Sequence, residues 1–451
     1  MMRWLLALML ALAACEDDSH VAASAHGMVV DAVEVSDTSS PDGGHHDGDP
    51  SPGSDLGTED GGPNDGLDTD EDADVTEADP NIRRVNLSVN QMNWEALHQD
   101  PEADVEVPCT VSVDGGPALL ADLELHGGYA RKFEKKSYRV HVRGDEPEWD
   151  LFGDGPEIQE RFVLQASWID PTFLRNELTM WLDRQVSVLA PRLSFAEVTV
   201  NGEYHGFYLV IERIDERWLV RHGLSVDAHL YKAESHWANF AAKADPLKGY
   251  DVQLGDAADV SDLAALLRIL TDTAATHDAF QAAVAPVFAL DDFMGWQRVH
   301  SFAADQDTFD KNYYLHHPVG ATPGSAVDIF RIIAWDADAT WGNNWDGKAL
   351  DPTQETWHGV DKLSPRLLGI PEYRQSYLDA YSAALDGPFS VEALKAHVNE
   401  KAAIIKTAVQ RDLDAWERDD VDFDAEIARL LGAIDSRWTT MRAVVDELLG
   451  E

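Results

Sequence analysis

Apolar and polar residues alternate in short runs along the first half of the chain, a pattern typical of β-strands. The dipeptide Asn201-Gly202 separates two of these runs and is the strongest hairpin signal in the sequence. Apolar residues recur at helical spacing between Pro171 and about Val188. The pattern therefore predicts one helix among strands at Val105–Val113, Ala118–Leu125, Ser137–Val142, Arg161–Gln165, Leu193–Val200 and Gly206–Ile211.

The second half of the chain follows the 3.6-residue period of amphipathic helices instead. Two short strand-like runs, Tyr313–His316 and Asp328–Ala334, interrupt the helical pattern. This order predicts an α+β fold with a β-rich lobe over 81–235 and a helical lobe over 236–451, an order that a two-lobed kinase shares with many other folds. Helices are predicted at Ser261–Thr271, Phe280–Val287, Leu290–Ala304, Pro371–Leu385, Val391–Ala415 and Phe423–Leu449.

The N-terminus has the pattern of a secretion signal. Arg3 precedes the apolar run Trp4–Leu12, which is too short to cross a bilayer as a helix. The run ends in Leu12-Ala13-Ala14-Cys15, which resembles the lipobox of secreted bacterial lipoproteins. We therefore expect residues 1–14 to be a signal peptide and Cys15 to be acylated, which would anchor the protein to a membrane outside the cytoplasm. The alternative is an ordinary secretory signal.

A strongly acidic segment follows this signal. Residues 16–80 contain 20 Asp and Glu and no Lys or Arg, among many Gly, Pro, Ser and Thr. Such a segment repels itself and buries little apolar surface, so we predict a disordered stalk over 15–80. The whole chain has a formal net charge of −47. Without the signal and the stalk, 34 basic and 62 acidic residues remain, a net charge of −28. This charge argues against nucleic acid as a partner and leaves room for a basic protein substrate.

The chain contains two cysteines. If Cys15 is acylated, Cys109 has no intramolecular partner, and no disulfide framework holds the fold. Cys109 lies in a strand-like alternation of apolar and polar residues. It is therefore predicted to be a small core residue rather than a nucleophile.

Acidic and amide residues in the second half have a spacing that suits phosphoryl transfer. Asp307 and Asn312 are five residues apart, between a predicted helix and a predicted strand, and Asp336 ends the next strand. In protein kinases this spacing holds the catalytic base and two metal ligands. Such a reaction needs Mg²⁺ held by oxygen ligands and a carboxylate that takes the acceptor proton. The spacing alone fits equally well an acidic loop that caps a helix.

Several stretches, in the right order from about Val85 to the C-terminus, resemble the CotH (spore coat protein H) family of atypical kinases. The matching segments are Leu125-His-Gly-Gly with Lys135-Lys-Ser-Tyr-Arg-Val140, Leu164–Asp170 with Leu174-Arg-Asn176, Val198–Glu212, Asp307 to Asn312-Tyr-Tyr-Leu, and Trp335-Asp-Ala-Asp to Gly342. The resemblance implies a kinase-like two-lobed fold that transfers the γ-phosphate of ATP to Ser or Thr of a surface or coat protein, with Mg²⁺ or Mn²⁺.

The resemblance also implies residue roles. Asp307 would be the catalytic base, Asn312 and Asp336 would be metal ligands, and Asp338 would support the metal or serve the acceptor. Lys136 or Lys135 would reach the α- and β-phosphates. Of the two, Lys136 is preferred because it would share an inward strand face with Tyr138 and Val140.

Further cofactor-binding residues are expected from the same motifs. Arg175 and Asn176 would pair with a phosphate or an interlobe acid, Glu177 would pair with the nucleotide lysine, and Glu212 ends the strand-pair motif. The phosphate turn departs from the family pattern Arg-Gly-Asn-Ser-Ser, since it reads His126-Gly127-Gly128-Tyr129-Ala130. Gly127 and Gly128 still allow the backbone to approach a phosphate closely, but the side-chain donors are lost.

Two other functions fit parts of the sequence. A metal-dependent glycosyltransferase would use Asp336-Ala-Asp338 to hold a sugar nucleotide, although the chain lacks the alternation of strands and helices that gives a parallel sheet. A non-catalytic adhesion or assembly module would keep a kinase-like domain for binding alone. In that case tryptophans near the acidic centre would stack on sugars, namely Trp335, Trp341, Trp345 and Trp357.

Overall fold

The computed structural model describes residues 81–144, 146–320, 325 and 327–450. The predicted signal peptide, the acylated Cys15 and the acidic stalk lie outside these residues. The strands are β1 (Ile82–Ser88), β2 (Glu106–Val113), β3 (Leu119–His126), β4 (Ser137–Val142), β5 (Glu148–Trp149), β6 (Glu157–Ile158), β7 (Arg161–Gln165), β8 (Leu193–Val200), β9 (Glu203–Glu212), β10 (Ala228–Ala233), β11 (Tyr250–Leu254), β12 (Tyr313–Pro318) and β13 (Arg331–Ala334).

The helices concentrate after β11. They are α1 (Gln91–Gln99), α2 (Arg175–Gln185), α3 (Glu216–Arg221), α4 (Ser261–Thr271), α5 (His277–Val284), α6 (Leu290–Phe302), α7 (Ser364–Leu368), α8 (Pro371–Leu385), α9 (Val391–Ala415) and α10 (Phe423–Gly450). This distribution confirms the predicted α+β class, with a β-rich region followed by a helical one. In the part of the chain that the structure describes, no helix is both long and apolar enough to span a membrane.

Seven strands of the first half form a closed barrel in the order β1-β2-β3-β4-β7-β9-β8. Neighbouring strands are antiparallel except β1 and β8, which close the barrel in parallel. Alternate side chains fill the interior, because successive residues of a strand point to opposite faces. Cys109 is one of these interior residues, and burial raises its pKa to about 12. The prediction of a core cysteine is confirmed.

Strand β9 has two apolar faces and joins the barrel to the helical region. Tyr208 and Val210 point into the barrel, whereas Phe207, Leu209 and Ile211 belong to the second core, which the helices share. Helix α2 packs on this outer side of the barrel and contacts β8. The β-rich part therefore presents a hydrophobic outer surface to α2 and to the C-terminal helices.

A second sheet lies in the helical region, with the order β11-β10-β12-β13 and antiparallel neighbours throughout. The β12–β13 pair was predicted from the sequence, although β13 begins at Arg331 rather than Asp328. Strands β10 and β11 were not predicted. Because β10 lies beside β12, this sheet places residues from two distant parts of the sequence next to the loops that contain Asp307 and Asp336.

Helix α2 is shorter than the sequence predicted. It begins at Arg175 and not at Pro171, since Phe173 adopts a φ of 56° that no α-helix contains. The side chain of Asp170 accepts a hydrogen bond from the Arg175 N–H at 2.9 Å, and it also binds the N–H of Thr172 at 3.2 Å. The bond to the Arg175 N–H satisfies a backbone donor that a longer helix would have paired internally, and the bond to the Thr172 N–H satisfies one that has no internal partner at a helix N-terminus.

Candidate active site

Two loops meet at the end of the second sheet. One follows α6 and contains Asp307, and the other follows β13 and contains Asp336 and Asp338. Their backbones are joined directly: the Gln306 N–H donates to the Ala339 carbonyl at 3.1 Å, and the Trp341 N–H donates to the Ala303 carbonyl at 2.8 Å. The three carboxylates that the sequence singled out therefore lie close together at one acidic centre.

Asn312 holds the first loop in shape. Its Nδ2 donates to the main-chain carbonyl of Asp307 at 2.9 Å and to the Asp307 Oδ2 at 3.1 Å. Both bonds use Nδ2, so Oδ1 is the atom of this amide that would bind a cation. Lys311 lies 2.8 Å from the other carboxylate oxygen of Asp307. Asn312 has a φ of 58°, a left-handed conformation that Asn adopts more easily than most residues.

Asp336 and Asp338 lie in a strongly negative environment. Burial, together with the charge of Asp307, raises the pKa of Asp336 to about 6, although Lys232 and Lys311 act in the opposite direction. Burial and the charge of Asp336 raise the pKa of Asp338 well above its ordinary value. Crowded carboxylates of this kind are stabilised by a bound cation, which suits a role as metal ligands.

The second loop is tethered to the barrel and to α2. Asn176 accepts a hydrogen bond from the Ala337 N–H at 3.1 Å, and its Nδ2 donates to Gln165 on β7 at 3.0 Å. Gln165 in turn donates to Asp336 at 3.4 Å. Asn176 was expected to pair with a phosphate or an interlobe acid. The structure gives it the different task of positioning the segment between the two aspartates.

The residues fit a cation that arrives with a phosphate group. Within the described ranges, no three His, Cys, Asp or Glu side chains are arranged to hold a metal by themselves. Mg²⁺ in phosphoryl-transfer sites is usually held by one or two carboxylates and the substrate phosphates, with water completing the shell. Asp336 and the Oδ1 of Asn312 supply ligands of the required kind, and Asp338 lies beside them.

A buried charge cluster contacts the backbone of the first loop. His300 on α6 lies 2.8 Å from Asp305 and 3.3 Å from Asp183 on α2, and all three side chains are fully buried. Burial lowers the pKa of His300, but the two carboxylates outweigh it and raise the pKa to about 9. Asp305 also accepts a hydrogen bond from the Asp307 N–H at 3.0 Å. The cluster therefore fixes the backbone next to the expected catalytic base.

The two motif lysines occupy different environments from those expected. Lys136 was expected to point inward, and this is wrong: Lys135 is buried, whereas Lys136 is partly exposed. The strand begins only at Ser137, so its alternation does not extend to Lys136. The Lys135 ammonium lies 2.7 Å from Asp412, and that of Lys136 binds the Arg131 carbonyl at 2.7 Å.

Three further expected cofactor residues also have partners within the protein. Glu177 pairs with His397 at 2.8 Å rather than with a lysine. The guanidinium of Arg175 binds Asp170 and lies 3.7 Å from Glu426. The third residue, Glu212, is paired with both Arg192 and Arg221. All three side chains are buried. Their assignment to the nucleotide stays a prediction, and the structure does not bring them to the acidic loops by any direct contact.

The glycine turn lies close to the acidic loops. The His126 ring is 6.3 Å from the ring of Trp335, the residue before Asp336, with the two planes perpendicular. Gly127 follows with a φ of 92°, which requires glycine. Burial lowers the pKa of His126 well below its ordinary value, and Arg139 adds to this effect. A neutral His therefore stands where the family pattern has Arg.

Sequence reasoning missed three residues near the acidic centre. Lys311 could have been noticed because it directly precedes Asn312 within the loop motif. Gln165 ends a correctly predicted strand, but nothing in its sequence context indicates a contact with Asp336. Lys232 lies on β10, which was not predicted, so its approach to Asp336 could not be anticipated.

The family model described as CotH kinase protein matches residues 123–441 of this chain. The chain belongs to the CotH family. Inner spore coat protein H of Bacillus subtilis (strain 168) is 27% identical to this CotH protein over 355 residues, which cover 77% of this chain and 92% of the relative. The resemblance expected from the motifs is confirmed.

Among solved structures, this CotH protein is similar to a Shewanella oneidensis MR-1 complex of the toxin–antitoxin proteins HipA and HipB with operator DNA. The identity is 13% and the TM-score is 0.29, over 70% of this chain and 66% of that chain, just under two thirds of its length. A likeness at this level supports no conclusion about fold or function. The two-lobed kinase-like architecture accordingly stays a proposal.

Proposed function

We propose that this CotH protein is an ATP-dependent kinase that phosphorylates Ser or Thr of a surface or coat protein. The observation that carries the proposal is the meeting of Asp307, Asn312 and Asp336 at one acidic centre, whose two loops are joined by backbone hydrogen bonds. Membership of a family described as CotH kinase protein supports the same reaction class.

The proposed chemistry assigns each residue a task. The acceptor hydroxyl would donate its proton to the carboxylate of Asp307 as its oxygen bonds to the γ-phosphorus, while the bond to the β–γ bridging oxygen breaks and ADP leaves. Mg²⁺ or Mn²⁺ would neutralise the phosphates when bound, held by Asp336 and Asn312 with help from Asp338. Lys311 lies against Asp307 and would orient this carboxylate.

We propose that the reaction takes place outside the cytoplasm. The relative at 27% identity is named as an inner spore coat protein, and the N-terminal Leu12-Ala13-Ala14-Cys15 would provide a lipid anchor. The net charge of −47 would attract a basic acceptor protein. Nucleic acid is not proposed as a partner.

The two alternatives gain no support from the structure. In the two larger sheets all neighbouring strands but β1 and β8 are antiparallel, so the parallel sheet of a nucleotide-sugar transferase is not formed among the described residues. Trp335 and Trp341 are buried, with 3% and 0% exposure, and cannot stack on a sugar. Of the four tryptophans, Trp345 is the exposed one, at 41%.

The proposal is tested by label transfer from γ-labelled ATP to a basic protein in the presence of Mg²⁺ or Mn²⁺. Asp307→Asn should keep nucleotide binding but reduce transfer by about 10²–10⁴-fold, because the proton acceptor is lost. Asp336→Ala should lose both transfer and the Mg²⁺-dependent thermal stabilisation by nucleotide.

Asp379→Asn serves as the matched control, because this aspartate lies on the exposed face of α8 and contacts Gln375. It should behave like the wild type. Transfer that persists at the wild-type rate in both Asp307→Asn and Asp336→Ala would refute the proposed site.

A further inference from the structure

Lys232 and Tyr314 are direct neighbours across two strands of the second sheet. Lys232 on β10 is paired with Tyr314 on β12, and Tyr314 is paired with Ile333 on β13, three residues before Asp336. Directly paired residues have Cβ atoms about 4.5–5.5 Å apart and point to the same face. The Tyr314 ring also packs at right angles on Trp335, at 5.6 Å. The pair therefore lies beside the second acidic loop.

Among the described residues, two buried polar groups in this region have no hydrogen-bond partner. The side chain of Tyr314 is fully buried, yet its hydroxyl is unpaired, and Nη1 of Arg213 is also buried and unpaired. Nη2 of Arg213 donates to Gln253 on β11 at 2.7 Å, so one side of the guanidinium is fixed and the other is free. Buried polar groups are normally paired, and both of these can donate. Nη1 of Arg213 can only donate, so its missing partner is an acceptor, and the Tyr314 hydroxyl could donate to the same group.

The surrounding charges favour a negatively charged acceptor. Lys232 interacts electrostatically with Asp336, and both Lys232 and Arg213 interact with His126 at the glycine turn. Lys232 therefore lies within electrostatic range of both the glycine turn and the second acidic loop, and Arg213 lies within range of the glycine turn. The Lys232 ammonium lies 2.6 Å from Glu234, whose side chain is 47% exposed and could rotate into solvent.

We propose that Lys232, Arg213 and Tyr314 form an anion subsite, near Asp336, that binds a phosphate group of the nucleotide. The inference rests on the proposed function for the identity of the anion. It also explains how a nucleotide could bind although Lys135 is occupied by Asp412 and the glycine turn lacks side-chain donors.

The subsite is tested by calorimetric titration of the full protein with ADP, pyrophosphate and adenosine. Lys232→Met should weaken ADP and pyrophosphate binding at least tenfold, because a charge-assisted contact to phosphate is lost. Tyr314→Phe removes only the hydroxyl and should weaken both about three- to tenfold. Neither variant should change the affinity for adenosine, which carries no phosphate.

Lys406→Met is the matched control, since this exposed lysine also pairs with a carboxylate, that of Asp424, but lies on α9. It should bind ADP like the wild type. Circular dichroism shows whether each variant is folded. If Lys232→Met does not fold, Tyr314→Phe alone provides the test.

The outcomes separate the subsite from the kinase reaction. Unchanged ADP and pyrophosphate affinity in both Lys232→Met and Tyr314→Phe would overturn the subsite even if the wild type transfers phosphate. Weakened binding in both variants supports the subsite even if no acceptor is ever phosphorylated. A wild type that binds neither ADP nor pyrophosphate would overturn it as well.

Discussion

Lys135 shows how much a single charged residue depends on one distant partner. Its ammonium is buried between Asp412 of α9, the Phe207 carbonyl and the rings of Phe173 and Tyr208. Burial lowers its pKa to about 8, and the nearby Asp412 carboxylate limits this decrease. The pair joins residues 277 positions apart in the chain. Lys135 therefore holds the barrel against a C-terminal helix, and a contact with nucleotide would require breaking this pair.

Replacing Lys135 with Met should destabilise the protein by about 3–5 kcal/mol, because Asp412 would be left as a buried, unpaired charge. The free energy of unfolding from urea denaturation measures this loss. Lys136→Met is the control, because Lys136 is partly exposed and binds only backbone carbonyls. It should cost about 1 kcal/mol. An equal decrease in the free energy of unfolding in both variants would show that the buried pair of Lys135 and Asp412 does not stabilise the fold more than the bonds of Lys136 do.

Helix α9 packs against the β8–β9 hairpin. Its register shifts between Val198 and Thr199, and the partner strand places Gly206 at this point with a φ of 145°. A Cβ atom at Gly206 would lie 2.5 Å from the Asp412 carboxylate and 3.0 Å from Nε1 of Trp416. The absence of a side chain thus lets α9 approach the strand closely enough to form the Lys135 pair.

Gly206→Ala should therefore destabilise the protein more than Gly202→Ala in the same hairpin. Both glycines have positive φ, but nothing lies within 4 Å of a Cβ at Gly202. The difference in the free energy of unfolding reports the steric clash together with the stricter backbone requirement at a φ of 145°, and we expect about 2 kcal/mol. Equal melting temperatures for the two variants would mean that α9 can shift away without cost.

Elements with strong local signals could be predicted from the sequence. Helices α4, α8 and α9 have the predicted bounds, and Ser390 caps α9 by accepting a hydrogen bond from the Ala393 N–H. Strands β4, β7 and β8 also match. Strand β10 was missed although it carries Lys232. The parallel closure of β1 on β8 joins segments more than 100 residues apart, and no local pattern indicates such a pairing.

The candidate active site likewise contains residues that local sequence indicates and residues that only tertiary packing brings there. Asp307 and Asn312 could be recognised because one loop contains both, and Asp336 because it ends the next hairpin. Lys232 could not be recognised from the sequence, because its position depends on the pairing of β10 with a strand about 80 residues later. The partners of Glu177 and Lys135 both come from α9, and they too depend on tertiary packing.

One charge cluster connects three parts of the molecule. Asp183 belongs to α2, His300 to α6 and Asp305 to the loop of the expected catalytic base. The raised pKa of His300 favours a protonated ring between the two carboxylates, and burial raises the pKa of both Asp183 and Asp305. A charged His300 would hold these parts together, because an ionised carboxylate without it would be an unpaired charge in the core. The cluster therefore links the packing of the helices on the barrel to the shape of the active-site loop.

This arrangement predicts a specific pH dependence of stability. The pKa of His300 is raised from 6.5 to about 9 in the folded state, so its stabilising effect is fully present below about pH 6.5 and is lost as the pH rises through about 9. The free energy of unfolding of the wild type, relative to His300→Gln, should therefore fall by on the order of 2–3 kcal/mol between about pH 6 and pH 10. Subtracting the variant removes contributions from other groups such as Lys135.

His277→Gln is the control, because His277 is exposed on α5. It controls for the loss of an imidazole from the surface. A difference for His300→Gln that stays constant with pH would mean that His300 is neutral in the folded protein. If His300→Gln does not fold, the imidazole ¹⁵N signals of the wild type answer the same question: a ring that keeps both protons at pH 8 agrees with the prediction, and a ring that has lost one contradicts it.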